Sequence, residues 1–230
     1  MNRPESAAEA VFNLGPLAIS NTVVTTWGVM AGVGLVVMLL RYSHVPRLQN
    51  AAEALVVTIE TAIGEVLPAT AVRQVLPFVA SLWLFVLIAN LVGLIPELHA
   101  PTRDLSATSA LAVLVFGSTH WFGIRNYGLS AHLRHYVQPS LILLPFHIIS
   151  ELTRTLALAI RLFGNIMSLE MAALLVLLIA GFLVPVPLLM LHVIEAVVQA
   201  YIFGMLALIY IAGALETNLS KSSQAVESRS

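Results

Sequence analysis

The 230-residue chain contains no cysteine. That absence excludes a disulfide framework, a thiolate metal site and a thiol nucleophile. Charge is scarce as well. Only 10% of residues are Asp, Glu, Lys or Arg, against roughly 25% in soluble domains. The net charge of −1 gives no electrostatic footprint for nucleic acid. No G-x-x-x-x-G-K-[ST] loop occurs, so nucleotide chemistry is not expected here. Nothing in the pattern points to a catalytic site, a metal or a cofactor. An internal repeat, the usual plan of a secondary transporter, is also missing. What is present is apolar: 59% of residues are hydrophobic and mean hydropathy is +0.92. The expected class is an all-α polytopic membrane protein, with room for about five or six embedded helices of ~20 residues.

Residues 1–22 read as an external N-terminal segment, and residues 23–216 as the membrane domain. Residues 23–40 carry no charge and rise ~27 Å as a helix, enough to cross a bilayer. The basic cluster Arg41, His44 and Arg47 follows. By the positive-inside bias it lies in the cytoplasm, which puts the N-terminus outside. Residues 48–67 hold Glu53, Glu60 and Glu65 at helical spacing, too charged to span, so they are expected as a surface amphipathic helix. The next spans are expected at 75–95, with Pro77 in the first turn, and at 105–122. The 123–138 loop, with Arg125, His132, Arg134 and His135, is the most basic and reads as cytoplasmic. Residues 139–183 form one apolar tract of ~45 residues, too long for an upright span, and predict a single tilted helix. Pro185 and Pro187 mark the turn into a last helix over 188–215. Residues 217–230 read as a disordered cytoplasmic tail.

The centre of the chain is residues 150–170, where Glu151, Arg154, Arg161 and Glu170 interrupt the longest apolar tract. A charge at mid-bilayer costs at least ~2.5–3.5 kcal/mol, so it needs a partner, a water-filled cavity or a function. At 100° per residue, with Glu151 at zero, Arg154 falls at about 300°, Arg161 at about 280°, Asn165 at about 320° and Ser168 at about 260°. These share one face. Glu170 falls at about 100°, on the opposite side. On the last helix His192, Glu195, Gln199 and Tyr210 form a second polar stripe. A helical hairpin would bring Glu170 to His192 or Glu195, an arrangement suited to a proton or cation path. Several of these groups also have plain structural readings. Arg154 pairs with Glu151 at i,i+3, Asn90 bonds to a neighbouring helix, and His192 and Glu195 are buried polar residues. Arg161 is harder to absorb in this way, because it cannot be deprotonated.

These residues resemble subunit a of the Fo sector of F-type ATP synthases. The resemblance rests on Arg161-Leu-Phe-Gly-Asn165 with Glu170 following, on Ile149-Ser-Glu-Leu-Thr-Arg154 before it, and on Leu84 to Pro96. It also rests on Asp104-Leu-Ser-Ala-Thr-Ser-Ala-Leu, on His192 with Gln199, and on Tyr201-Ile-Phe203. It covers roughly residues 52–216. It implies upright spans plus a long, tilted two-helix hairpin packed against a c-ring. Arg161 would face the ring. Glu170, His192 and Gln199 would serve the ion half-channels, with Glu195 in the same stripe. Asn90, Asp104 and Asn165 would be supporting polar residues, beside Glu151, Arg154 and Ser168. The implied partners are the c-ring, the b-subunit peripheral stalk, the remaining synthase subunits and the bilayer of a bacterial inner membrane. The chain departs from the family pattern at Thr155, where proline is usual, and at His147, where a carboxylate is common. Ser168-Leu169 replaces the usual pair of small residues before the acid. Three alternatives remain at this point: sodium coupling in the same role, a stand-alone secondary transporter or channel, and a membrane anchor of a redox complex. The last would need axial histidine pairs, whereas His192 alone lies deep in a helix, with His147 nearer an end.

Overall fold

The computed structural model describes residues 10–14, 17–42, 46–95, 100–128, 144–180 and 185–227. The chain opens with a short antiparallel hairpin, β1 (Ala10–Leu14) and β2 (Leu17–Ser20), in which Phe12 pairs with Ile19 and Leu14 with Leu17. The all-α expectation did not include it. Val11, Phe12 and Ile19 favour extended backbone. Among the described residues the elements that follow are helices: α1 (Asn21–Tyr42), α2 (Pro46–Gly64), α3 (Ala69–Val92), a 3-10 turn (Pro101–Arg103), α4 (Leu105–Tyr127), α5 (Leu144–Ala180) and α6 (Pro185–Glu227). Among the described residues five helices are long and apolar enough to cross a membrane, and α2 is not one of them. The protein is a multi-pass membrane protein.

Two boundaries move for clear reasons. The second span begins at Ala69 rather than near 75, because Pro68 ends the preceding turn in extended backbone (φ −63°, ψ 148°) and starts α3 at once. Arg73 therefore lies in the helix, not in a loop, and Pro77 is interior. Its missing N–H leaves the Arg73 carbonyl without its helical donor, which membrane helices tolerate. At the other end α6 runs to Glu227, so residues 217–227 are helical where a disordered tail was expected. No glycine or proline follows Gly213 to stop the helix. The 139–183 tract is one unbroken helix over Leu144–Ala180, and its flanks lie outside the described residues, as do His132, Arg134 and His135.

The core sits between α3, α4, α5 and α6. On α3, Val72, Val75, Val79, Leu82, Val86 and Ala89 recur at helical spacing and are all buried. All but Ala89 cluster with Ala200, Phe203, Ala207, Leu208 and Ile211 of α6. Small residues bring these two backbones close, which is how membrane helices gain packing energy without a hydrophobic driving force. The tightest point is Gly204, where a Cβ would sit 0.9 Å from the Trp83 indole nitrogen. The indole thus rests on bare backbone, and its ring lies 5.5 Å from that of Tyr201. The amphipathic α2 buries Ile59 and Ile63 against this bundle while Glu53, Glu60 and Glu65 stay exposed. Only Val29 of α1 is buried among its described side chains. The exposed Trp27, Met30, Leu35 and Leu39 face the surroundings, as an apolar solvent allows.

Candidate functional site

The site is built on the middle of α5. Leu158, Ala159, Leu162 and Ile166 form its buried stripe, centred at about 35° on the wheel that sets Glu151 at zero. Polar residues flank this stripe on both sides. On one flank Asn165 Nδ2 donates to Gln199 Oε1 of α6 at 2.6 Å. On the other, Glu170 Oε1 accepts from Arg103 Nη1 of the 3-10 turn at 2.6 Å. Arg161 points away from the stripe and is exposed. Among the described residues it makes no ion pair.

This corrects the grouping read from the sequence. Asn165 does not share the outward face with Arg161 but turns to α6, because its position at about 320° is closer to the buried stripe than those of Arg154, Arg161 and Ser168. Ser168 stays outward and exposed. The expected Glu151–Arg154 pair is not formed. Instead Glu151 lies 3.6 Å from His120 Nε2 of α4, while the Arg154 guanidinium stands 5.5 Å over the Tyr210 ring of α6. Glu170 also takes Arg103, rather than His192 or Glu195, as its direct partner, although the field of its carboxylate reaches His192. Arg103 falls between the spans expected at 75–95 and 105–122 and was not singled out in the sequence. Its only signal was its place directly before Asp104.

The last helix carries the second half. His192 and Gln199 are buried, and Glu195 is half-buried one turn beyond His192. Among the described residues Glu195 makes no ion pair. His192 Nε2 and Gln199 Nε2 are buried without a hydrogen-bond partner. Asn90 repeats the pattern on α3. It is 0% exposed, its Oδ1 accepts from Thr102 Oγ1 at 2.8 Å, and its Nδ2 has no partner. Such orphans cost about 1–3 kcal/mol each unless water reaches them. His147 is half-buried in the first turn of α5.

Asp104 has a structural task. It caps α4 by accepting from the Ser106 N–H at 2.9 Å, and its other oxygen accepts from Thr22 Oγ1 of α1 at 3.0 Å. Partial burial pushes this carboxyl up, but the hydrogen bonds from Ser106 and Thr22 outweigh it and hold the group below its ordinary value of 3.8. No cluster of three or more His, Cys, Asp or Glu residues that could hold a metal occurs among the described residues.

Residues 23–212 match the family model described as ATP synthase A chain. The chain belongs to that family. Its members include relatives similar over nearly their whole length. One, named ATP synthase subunit a 2, from Pelobacter propionicus, is 62% identical over 91% of this chain and 92% of its own. Another, ATP synthase subunit a 1 of Hahella chejuensis, is 59% identical over 89% and 88%. ATP synthase subunit a of Legionella pneumophila is 52% identical over 94% and 95%. Membership in the subunit a family makes this a membrane subunit of the Fo sector of a bacterial F-type ATP synthase, tied to ion transport and ATP synthesis. The family match begins at the first apolar helix and ends within α6, so it takes in Arg161, Glu170, His192 and Gln199.

Proposed function

We propose that the chain is the stator of the rotary Fo motor, carrying protons through two half-channels to and from the carboxylates of a c-ring. The observation that carries this reading is Arg161: a permanent cation on the outer face of a membrane helix, exposed and without an ion pair among the described residues. Left against hydrocarbon it would cost at least ~2.5–3.5 kcal/mol. A passing carboxylate on a partner helix removes that cost without a permanent pair.

Each ring carboxylate travels through lipid neutral, meets Arg161 and gives its proton to one path. It reloads from the other. Arg161 stabilises the transient anion and repels cations that would run straight between the paths. The buried stripe of α5 keeps the two flanks apart: Asn165 and Gln199 on one side, Glu170 with Arg103 and His192 on the other. The orphaned nitrogens of Asn90, His192 and Gln199 supply hydrogen-bonding groups for water along such paths. Glu195, half-buried beside His192, belongs to the same stripe. An elementary charge crossing the field supplies ~2.3 kcal/mol per 100 mV, so several ions are needed per ATP. The chemistry of ATP resides in other subunits, and the b-subunit stalk holds this one still. On this reading the basic cluster between α1 and α2 and the basic loop after α4 lie in the cytoplasm, with the N-terminus outside the inner membrane and the C-terminus inside.

Arg161→Ala in inverted membrane vesicles tests the reading. With the complex assembled at normal levels, ATP-driven acidification is expected to vanish. Undiminished pumping would remove the central claim. Acidification that persists only with sodium uptake blocked would move the coupled ion from H⁺ to Na⁺.

A further inference from the structure

We propose that Arg103 is the resident counter-ion of Glu170 and acts as a latch on the half-channel that opens beside the α3–α4 connection. This rests on the stator reading above. Arg103 ends the 3-10 turn, and its Nη1 donates to Glu170 Oε1 at 2.6 Å across to α5. The two side chains are 37% and 32% exposed, so the pair is neither sealed in the core nor free in bulk water. The turn that carries Arg103 is fixed at both ends. Thr102 before it is buried and bonded to Asn90 of α3. Asp104 after it caps α4 and holds Thr22 of α1.

A cation tethered this firmly occupies the place that a transported ion must take on Glu170. An arriving proton neutralises the carboxylate, and the Arg103 bond weakens as the anion disappears. Passing the proton inward restores the anion, and the guanidinium returns. Among the described residues, His192 of α6 is the other titratable group within electrostatic reach of Glu170. On the turn itself Asp104 is committed to Ser106 and Thr22. Among the described residues, the groups of α3 and α1 that hold this turn are the neutral Asn90 and Thr22. Arg161 stands on the opposite flank. Arg103 is therefore a positioning residue that sets how readily Glu170 accepts an ion.

The test uses proteoliposomes holding the whole synthase, with pH varied on the loading side at a fixed membrane potential. Arg103→Gln is expected to displace the pH profile of ATP synthesis by roughly tenfold in proton concentration. Arg103→Lys, which keeps the charge but lacks the planar fork, should displace it less. The exchange of Arg103→Glu with Glu170→Arg keeps an ion pair as a fastener and should assemble without transporting. An unchanged pH dependence in Arg103→Gln, or wild-type transport by the exchanged pair, would overturn the latch. Should Arg103→Gln fail to assemble, Arg103→Lys is decisive, and no shift in it overturns the latch. Arg161→Ala run in parallel separates the two claims. If it still pumps, the stator reading falls; if it is dead and the Arg103 variants behave as wild type, the latch alone falls.

Discussion

Asp104 shows how one side chain serves two helices. It caps α4 through Ser106 and pins Thr22 of α1. Because these bonds favour the charged form, its folded value lies below 3.8. The stabilisation is therefore complete above the unfolded value and is lost as pH falls through the lower, folded one. Asp104→Ala should cost about 1 kcal/mol at neutral pH, a normal figure for a lost cap. Thermal unfolding of the purified protein should show the gap from wild type narrowing once pH drops below 3.8. A gap that stays constant into that range would mean the carboxylate is not what stabilises the cap. At this scale the sequence was only partly legible. Which residues matter could be read, because charge in an apolar tract is conspicuous. Their partners could not. A helical wheel fixes an angle but not which neighbouring helix stands there, so Asn165 was grouped with Arg161 and the Arg103–Glu170 pair went unseen.

Helix existence was far easier to read than helix ends. Apolar length alone located the five spanning helices, and the charge of Glu53, Glu60 and Glu65 set α2 apart. The misplaced ends fell at Pro68 and beyond Leu215, where a cap or the lack of a stop signal decides, and a hydropathy window averages over both. The tightest contact between elements belongs to Gly204. Among membrane helices a glycine is easily taken for a generic small residue. Here it is the floor under Trp83, with no room for a Cβ. Gly204→Ala should separate α3 from α6 and prevent accumulation of the assembled complex, read by blotting membranes. Adding Trp83→Ala should restore much of it. If the single variant assembles normally, the close approach of these helices is wrong.

The whole molecule is a four-helix core with a loosely attached first helix, and its two longest helices exceed the bilayer. The 37 residues of α5 rise ~55 Å, against a hydrocarbon thickness of ~30 Å. A helix wholly embedded at that length lies roughly 55° from the membrane normal by this geometry. Because the chain has no cysteine, a single cysteine placed along α5 carries a spin label at one site only. Labels at Leu152 and Leu174, both exposed, should then differ in depth by roughly 19 Å, the projection of their separation at that tilt. A depth difference near the full ~33 Å axial rise between them would describe an upright helix instead.

That same helix has a mechanical side. α5 is continuous from Leu144 to Ala180, without a proline after Pro145, and it is clamped along one stripe by α3, α4 and α6. On the stator reading proposed above, a rotor that pulled on Arg161 would pull on a stiff strut rather than on a hinge. The reaction force would pass through Leu158, Leu162 and Ile166 into the core, with little bending on the way. Whatever elastic give smooths the stepping of such a motor would then belong to its other parts, with this subunit as the anvil against which they turn.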